Sequence, residues 1–311
     1  MGSILMCKNA PVYNIDTNEV ISNSLLPGYM QVMSNNPNKF KTWLKLRYSS
    51  NTNSIARQLK GITFGQGNRV RINRETRAFS LSDCYWIKQS DENIAFEEAS
   101  QYYSDFWTGA GVYNGQAVPT LYVPGYLNKY WLNSRILCKL GQETLIEYEC
   151  SRVCKILGVP VENIQILPDK SGIAVENITS PNLMLEQADQ SGRIDPDYFD
   201  NSDIIKHFNL AGYQMILVDA IIGNGDRHAG NFGWLRDTNT GKYVGMAPLY
   251  DFDHALDSKS TGDIMIQDAI SLAKSNNIYK NFAIQAINKL LHIGTEQLFM
   301  SKAKAILSNI Q

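Results

Sequence analysis

The sequence predicts an α+β fold: mixed over residues 1–115, β-rich with one helix over 116–178, and mostly helical over 179–311. Two patterns carry this prediction. Short apolar runs bounded by Gly, Pro and Asn cluster in the middle stretch, and helical apolar spacing dominates the last. A third observation places the chemistry. The stretch NGDRHAGNF (224–232) packs Asp, Arg, His and Asn between a long apolar run and a hairpin signal.

In the first stretch, PNKFKTWLKLR (37–47) predicts a short helix with Phe40, Trp43 and Leu44 on one face. Residues 68–88 are basic at their start and aromatic at their end. Arg69, Arg71, Arg74 and Arg77 fit either phosphate contacts or a solvated face, and the near-neutral chain favours the face. In the middle stretch, TLYVPGYLNKYWL (120–132) reads as strand, tight turn at Pro124 and Gly125, and strand. SRILCKLG (134–141) reads as another strand, with Ile136 and Cys138 on one face and Leu137 and Lys139 on the other. ETLIEYECSRVCKILGVP (143–160) is a helix burying Ile146, Cys150, Val153, Cys154 and Leu157, ended by Gly158 and Pro160. NIQILP and GIAVENI are two further strands. In the last stretch, a single apolar pattern runs from Ile204 to Ile222 and predicts a helix that stops at Gly223. FGWLR and YVGMA, joined by DTNTGK, read as a hairpin, and helical spacing resumes over 264–310.

Composition narrows the function classes. With 311 residues, 44% of them apolar, the chain is ample for one large domain or two coupled lobes. A net charge of −1 gives no sign of a nucleic-acid or other polyanion partner. Five cysteines without a C-x-x-C pair argue against a disulfide framework or a structural zinc, so a reducing, cytoplasmic setting is expected. No secretion signal is expected, and runs such as MILVDAII (215–222) are too short to span a bilayer, so no membrane partner is expected.

The hairpin organises the polar residues. An antiparallel pair brings its outer ends together, so Asn231, before the first strand, and Asp251, after the second, should converge with Asp226 nearby. Two side-chain oxygens suffice for Mg²⁺, which takes one or two carboxylates and completes its shell with water and phosphate oxygens. Asp226 is then placed to accept or orient the proton of an attacking hydroxyl, the division of labour found in phosphoryl transfer. The expected catalytic group is Asp226, Arg227 and His228, with Asp226 as base and Arg227 and His228 framing it. Arg227 is also suited to neutralise phosphate. The expected metal ligands are Asn231 and Asp251. Asp219, inside the apolar helix, is read as holding the loop. There is no G-x-x-x-x-G-K-[ST] motif, so a P-loop is excluded.

The D-R-H-x-x-N loop, the hairpin and the following P-x-Y-D element resemble the HipA-like serine/threonine kinases. A similar loop occurs in the phosphatidylinositol 3/4-kinase superfamily. The resemblance covers roughly residues 118–255. It implies a bilobal protein-kinase-like fold with a β-rich N-lobe and a helical C-lobe, preceded by an extra N-terminal α/β region. It also implies ATP and Mg²⁺ as cofactors. RILCKLG resembles the strand whose lysine binds ATP phosphates, which gives Lys139. The helix after it gives Glu147 as the ion-pair partner, with Glu143 as rival. VPGYLNKYW resembles the short phosphate loop, which gives Gly125 and Lys129. GIAVENI resembles the adenine hinge, which gives Glu176, Asn177 and Ile178. Where better-known members carry a self-inhibitory serine, the nearest residues here are Tyr122 and Thr120. The implied partners are ATP, a protein substrate and an antitoxin-like regulator. Two other readings remain open at this stage: a lipid or small-molecule kinase of the same fold, and a non-catalytic nucleotide-binding regulator.

Overall fold

The structure is a computed structural model that describes residues 2–46, 77–100, 112–113, 116–117, 128–256 and 262–311. Arg69, Arg71, Arg74, Thr120, Tyr122 and Gly125, singled out above, lie outside the described residues. The chain forms two compact units, each assembled from three segments: 1–140, 174–193 and 233–245 in the first, and 141–173, 194–232 and 246–311 in the second.

The first unit opens with an antiparallel sheet that the sequence pattern alone did not resolve. Strands β1 (Ser3–Cys7), β2 (Ala10–Asn14), β3 (Glu19–Val20) and β4 (Tyr85–Gln89) lie in the order β3-β2-β1-β4. Pro11 sits opposite Met6, where the register shifts, a site at which a missing N–H is tolerated. Two helices follow β3: α1 (Gly28–Val32) and α2 (Lys39–Leu46). The predicted stripe of α2 is buried: Phe40 lies 5.9 Å from the Tyr13 ring and Trp43 packs edge-on to Tyr85 at 5.7 Å. Phe79 stacks on Trp86 at 5.6 Å, so aromatic surface supplies much of this core. Arg77 makes a two-point salt bridge to Glu92, with contacts of 2.6 and 2.8 Å.

Beyond β5 (Val112–Tyr113) and β6 (Gln116–Ala117), strands β7 (Asn128–Asn133) and β8 (Ile136–Leu140) form an antiparallel hairpin. The Asn133 side chain closes its turn by accepting from the amides of Arg135 and Ile136. A further three-stranded sheet has the order β11-β12-β13, with β11 (Leu183–Gln187), β12 (Gly233–Asp237) and β13 (Tyr243–Met246). The predicted hairpin is therefore present as β12 and β13, closed by a bond from Asp237 N to Lys242 O.

The second unit is mostly helical. Helix α3 (Leu145–Leu157) buries Cys150, Val153, Cys154 and Leu157 and ends at Gly158 in the left-handed region. Strand β9 (Ile164–Ile166) precedes β10 (Gly172–Glu176), and the division between units falls within β10. The apolar pattern over 204–222 is not one helix but two: α4 (Asn201–Phe208) and α5 (Leu210–Ile222). The break is at Asn209, with φ at 54°, whose side chain accepts from the Tyr279 hydroxyl. Apolar spacing continues across the break because α4 buries Ile204 and Phe208 and α5 is buried nearly throughout, which is why periodicity alone joins them. Helix α5 is buried on nearly all sides, and α6 (Gly262–Ser275), α7 (Asn277–Ile293) and α8 (Gln297–Ile310) surround it. Among the described residues no helix is long and apolar enough to cross a membrane.

Candidate active site

Helix α5 delivers the chain to the polar loop and holds it there. Asp219, in its last turn, accepts from Arg227 Nε at 3.0 Å, Arg227 Nη2 at 2.9 Å and Asn224 Nδ2 at 3.0 Å. The Arg227 and Asp219 side chains are 7% and 5% exposed. Burial works against the charge on Arg227, but Asp219 outweighs it and holds the guanidinium above its ordinary pKa.

The remaining nitrogen of Arg227 does the positioning. Nη1 donates to the Asn231 carbonyl at 2.8 Å and to the Tyr250 carbonyl at 2.9 Å. One guanidinium thus gathers the end of α5, Asn231 two residues before β12, and the residue before Asp251. Other contacts run alongside. Tyr250 Oη donates to Gly230 O at 3.0 Å, Asn224 bridges to Ala255, and Leu256 N donates to Gly223 O at 3.1 Å. The segments carrying Asn231 and Asp251 therefore lie side by side.

The individual side chains have distinct surroundings. Asn231 is buried, and its Nδ2 donates to the Asp226 carbonyl at 3.4 Å. Asp251 has φ at 60°, an uncommon conformation that Asp tolerates better than most residues and that recurs at functional sites. Asp226 is half-exposed, with His254 Nε2 at 4.0 Å from its carboxylate. His228 Nδ1 accepts from the Gly230 amide at 3.0 Å, so it stabilises the loop. The structure adds Glu162, a buried acid whose Oε1 lies 3.4 Å from the Asp251 amide. A parallel bridge between Val161 and Leu249 brings it there, and no local pattern announced it. Among the described residues no group of three His, Cys, Asp or Glu side chains is arranged to hold a metal.

The candidate nucleotide residues are carried by other elements. In the β7–β8 hairpin Lys129 stands directly opposite Lys139, which is buried. Glu147 is fully buried on α3. Glu176 ends β10 and Ile178 follows in the loop. Asn177 donates its amide to Arg135 O at 2.7 Å and its Nδ2 to Ser134 O at 3.0 Å, so both of these donors are already engaged.

A mixed framework of antiparallel sheets and helices, with an Asp-Arg-His-x-x-Asn loop facing a returning Asp, makes the chain similar to the HipA-like kinases. Among solved structures, that of the Shewanella oneidensis MR-1 toxin–antitoxin system of HipA, HipB and its operator DNA shares the fold. Its TM-score is 0.55 at 13% identity, over 99% of this chain and 96% of that one. The crystal structure of the proinflammatory kinase CtkA of Helicobacter pylori covers 60% of this chain and 91% of that one, with a TM-score of 0.36 at 17% identity. In sequence, the Helicobacter pylori serine/threonine-protein kinase CtkA is 26% identical over 148 residues, or 40% of this chain. That match spans 44% of the kinase, less than half its length. No protein-family model matches the chain.

Proposed function

We propose that this chain is an ATP- and Mg²⁺-dependent kinase of the HipA-like type that transfers the γ-phosphoryl group to a serine or threonine of a protein. The observation that carries the reading is the double donation of Arg227 Nη1 to the Asn231 and Tyr250 carbonyls, which draws the Asn231 and Asp251 segments together. These residues fit a Mg²⁺ ion, because one amide oxygen and one carboxylate suffice when phosphates and water complete the octahedron. Bound there, the metal would supply charge neutralisation at the transferring phosphate.

The chain's own residues divide the remaining work. Asp226, half-exposed at the loop, orients the acceptor hydroxyl and takes its proton as oxygen attacks the γ-phosphorus and the bond to the β-phosphate oxygen breaks. Lys139 and Lys129, opposed across the hairpin, hold phosphate oxygens, and Gly125 keeps the phosphate-loop role that the resemblance implies. Glu147 keeps the ion-pair role that the resemblance implies. The stretch at Glu176, Asn177 and Ile178 reads adenine through backbone groups other than the Asn177 amide, which is committed to Arg135. Arg227 and His228 act by holding Asp226 and Asn231 in place. An antitoxin-like regulator is the proposed protein partner, and the cytoplasm the proposed location.

Incubation with γ-labelled ATP and Mg²⁺, with and without a cell lysate, followed by mass spectrometry, tests the reaction and names the acceptor. Labelled serine or threonine is expected, and Asp226→Ala should lower transfer by about 10²–10⁴-fold. Full transfer by that variant would show the base assignment to be wrong.

A further inference from the structure

Residues 1–100 carry none of the side chains assigned above, yet one of their loops is built into the hairpin between Asn231 and Asp251. The link is Arg236 on β12, whose side chain is 0% exposed. Its Nε donates to Gly241 O at 2.6 Å, in the hairpin turn. Nη2 donates to Ser24 O at 2.6 Å, and Nη1 donates to Leu26 O at 2.7 Å, Tyr85 Oη at 3.1 Å and Glu186 Oε2 at 3.2 Å. Glu186 in turn accepts from the Gly28 amide at 3.0 Å and from Tyr243 Oη at 2.7 Å.

Independent features of the backbone show how close this approach is. A Cβ on Gly28 would run into the Glu186 carboxylate and the Tyr243 hydroxyl. A Cβ on Gly241, where φ is 70°, would run into the Ser24 carbonyl. A buried ion pair is often no more stabilising than an apolar pair of the same size, and its best-attested service is to fix register. Here the register fixed is that of β12 and β13 against residues 24–28.

We infer that residues 24–28, acting through Glu186 and Arg236, position the hairpin whose two ends lead to Asn231 and Asp251. Arg236 is a positioning residue: five positions separate it from Asn231, and the other strand leads into Asp251 after the same number of residues past Met246. The N-terminal region is on this account a brace for the metal-side hairpin. The catalytic consequence rests on the kinase reading above, but the mechanical one does not.

The test is hydrogen exchange by mass spectrometry on the full chain, comparing wild type with Gly28→Ala and Arg236→Met. Exchange over 228–232 and 248–254 should rise by about tenfold in both variants, while α7 remains at wild-type protection. The apparent Mg²⁺ requirement for transfer should rise with little change in kcat, a split that general destabilisation does not produce. Wild-type exchange over 228–232 and 248–254, with 24–28 and 233–245 loosened, would overturn the inference. If Arg236→Met unfolds, Gly28→Ala carries the same comparison, since it keeps every charge and leaves helix propensity no worse. A wild type that transfers no phosphate would refute the kinase reading, while the exchange data would still decide this one.

Discussion

Arg227 and Arg236 flank Asn231 in the chain, and both are buried against a carboxylate, yet they hold different things. Arg227 is local: it pairs with Asp219 eight residues back and gathers the carbonyls of Asn231 and Tyr250. Arg236 is long-range: its partner carbonyl at Leu26 lies 210 residues away. Taking two charges out of water costs about as much as their attraction returns, so neither pair is explained by stability alone. Each is better understood as a device that fixes position. The first holds the loop of Asp226 and Asn231 directly, and the second holds the hairpin that follows it.

Breaking each pair should separate these roles. The largest effect is expected for Arg227→Met, which leaves Asp219 buried and unpaired. It should cost about 3–5 kcal/mol in thermal or denaturant unfolding. Phosphoryl transfer should fall at least about 10²-fold, as expected for an ångström-scale misplacement of reacting groups. The double variant Asp219→Asn/Arg227→Met should regain stability and not transfer. Arg236→Met should also lose about 3–5 kcal/mol. Its double variant Glu186→Gln/Arg236→Met should regain stability and, like the single variant, keep near-wild-type kcat with only the Mg²⁺ requirement raised. Equal kinetic defects in the two double variants would erase the distinction.

Asp189, in the short helix Ala188–Ser191, shows what a partly buried acid does without such an arginine. Its Oδ1 has no hydrogen-bond partner, and burial pushes its pKa up to about 6. The folded form therefore keeps a proton that the unfolded chain loses at its ordinary pKa of 3.8. The stability this gives is complete below that value and is lost as pH rises to about 6. Asp189→Asn should accordingly gain about 1–3 kcal/mol at pH 7 and almost nothing at pH 4, read from unfolding at the two pH values.

The smallest effects sharpen the comparison locally. All five cysteines are buried, and burial pushes the Cys7 thiol up to about 12 and raises those of Cys84, Cys150 and Cys154. Native protein at pH 8 should resist iodoacetamide. Cys7 senses the Arg236 charge and Cys150 senses the Arg227 charge. Losing the charge alone would raise these thiols further, so only loosened packing can speed the reaction; Arg236→Met should open Cys7 and Cys84 to alkylation first, and Arg227→Met Cys150 and Cys154 first. The same labelling order in both variants would mean that neither arginine acts locally.

The two arginines also mark what a sequence reveals. Asp226, Asn231 and Asp251 are legible because a hairpin of local signals joins them, and a hairpin's ends must meet. The stripe of Phe40, Trp43 and Leu44 is legible because helical spacing is a local property. Glu162 is not, because it reaches Asp251 only through the bridge between Val161 and Leu249. Arg236 looks like any polar position of an alternating strand until residues 24–28 close over it. The sheet of β1 to β4 hides for the same reason, since Cys7 pairs with Tyr85 across a long intervening sequence. The break at Asn209 hides for another: one flipped backbone leaves the apolar period intact.

The most direct test of the metal and base site is Mn²⁺ binding in the presence of ATP, followed by electron paramagnetic resonance. Wild type, Asn231→Ala and Asp251→Ala should be compared, with folding checked by circular dichroism. Wild type should hold a Mn²⁺–ATP complex, and each variant should bind it at least about tenfold more weakly. Unchanged Mn²⁺ affinity in both folded variants would contradict the site.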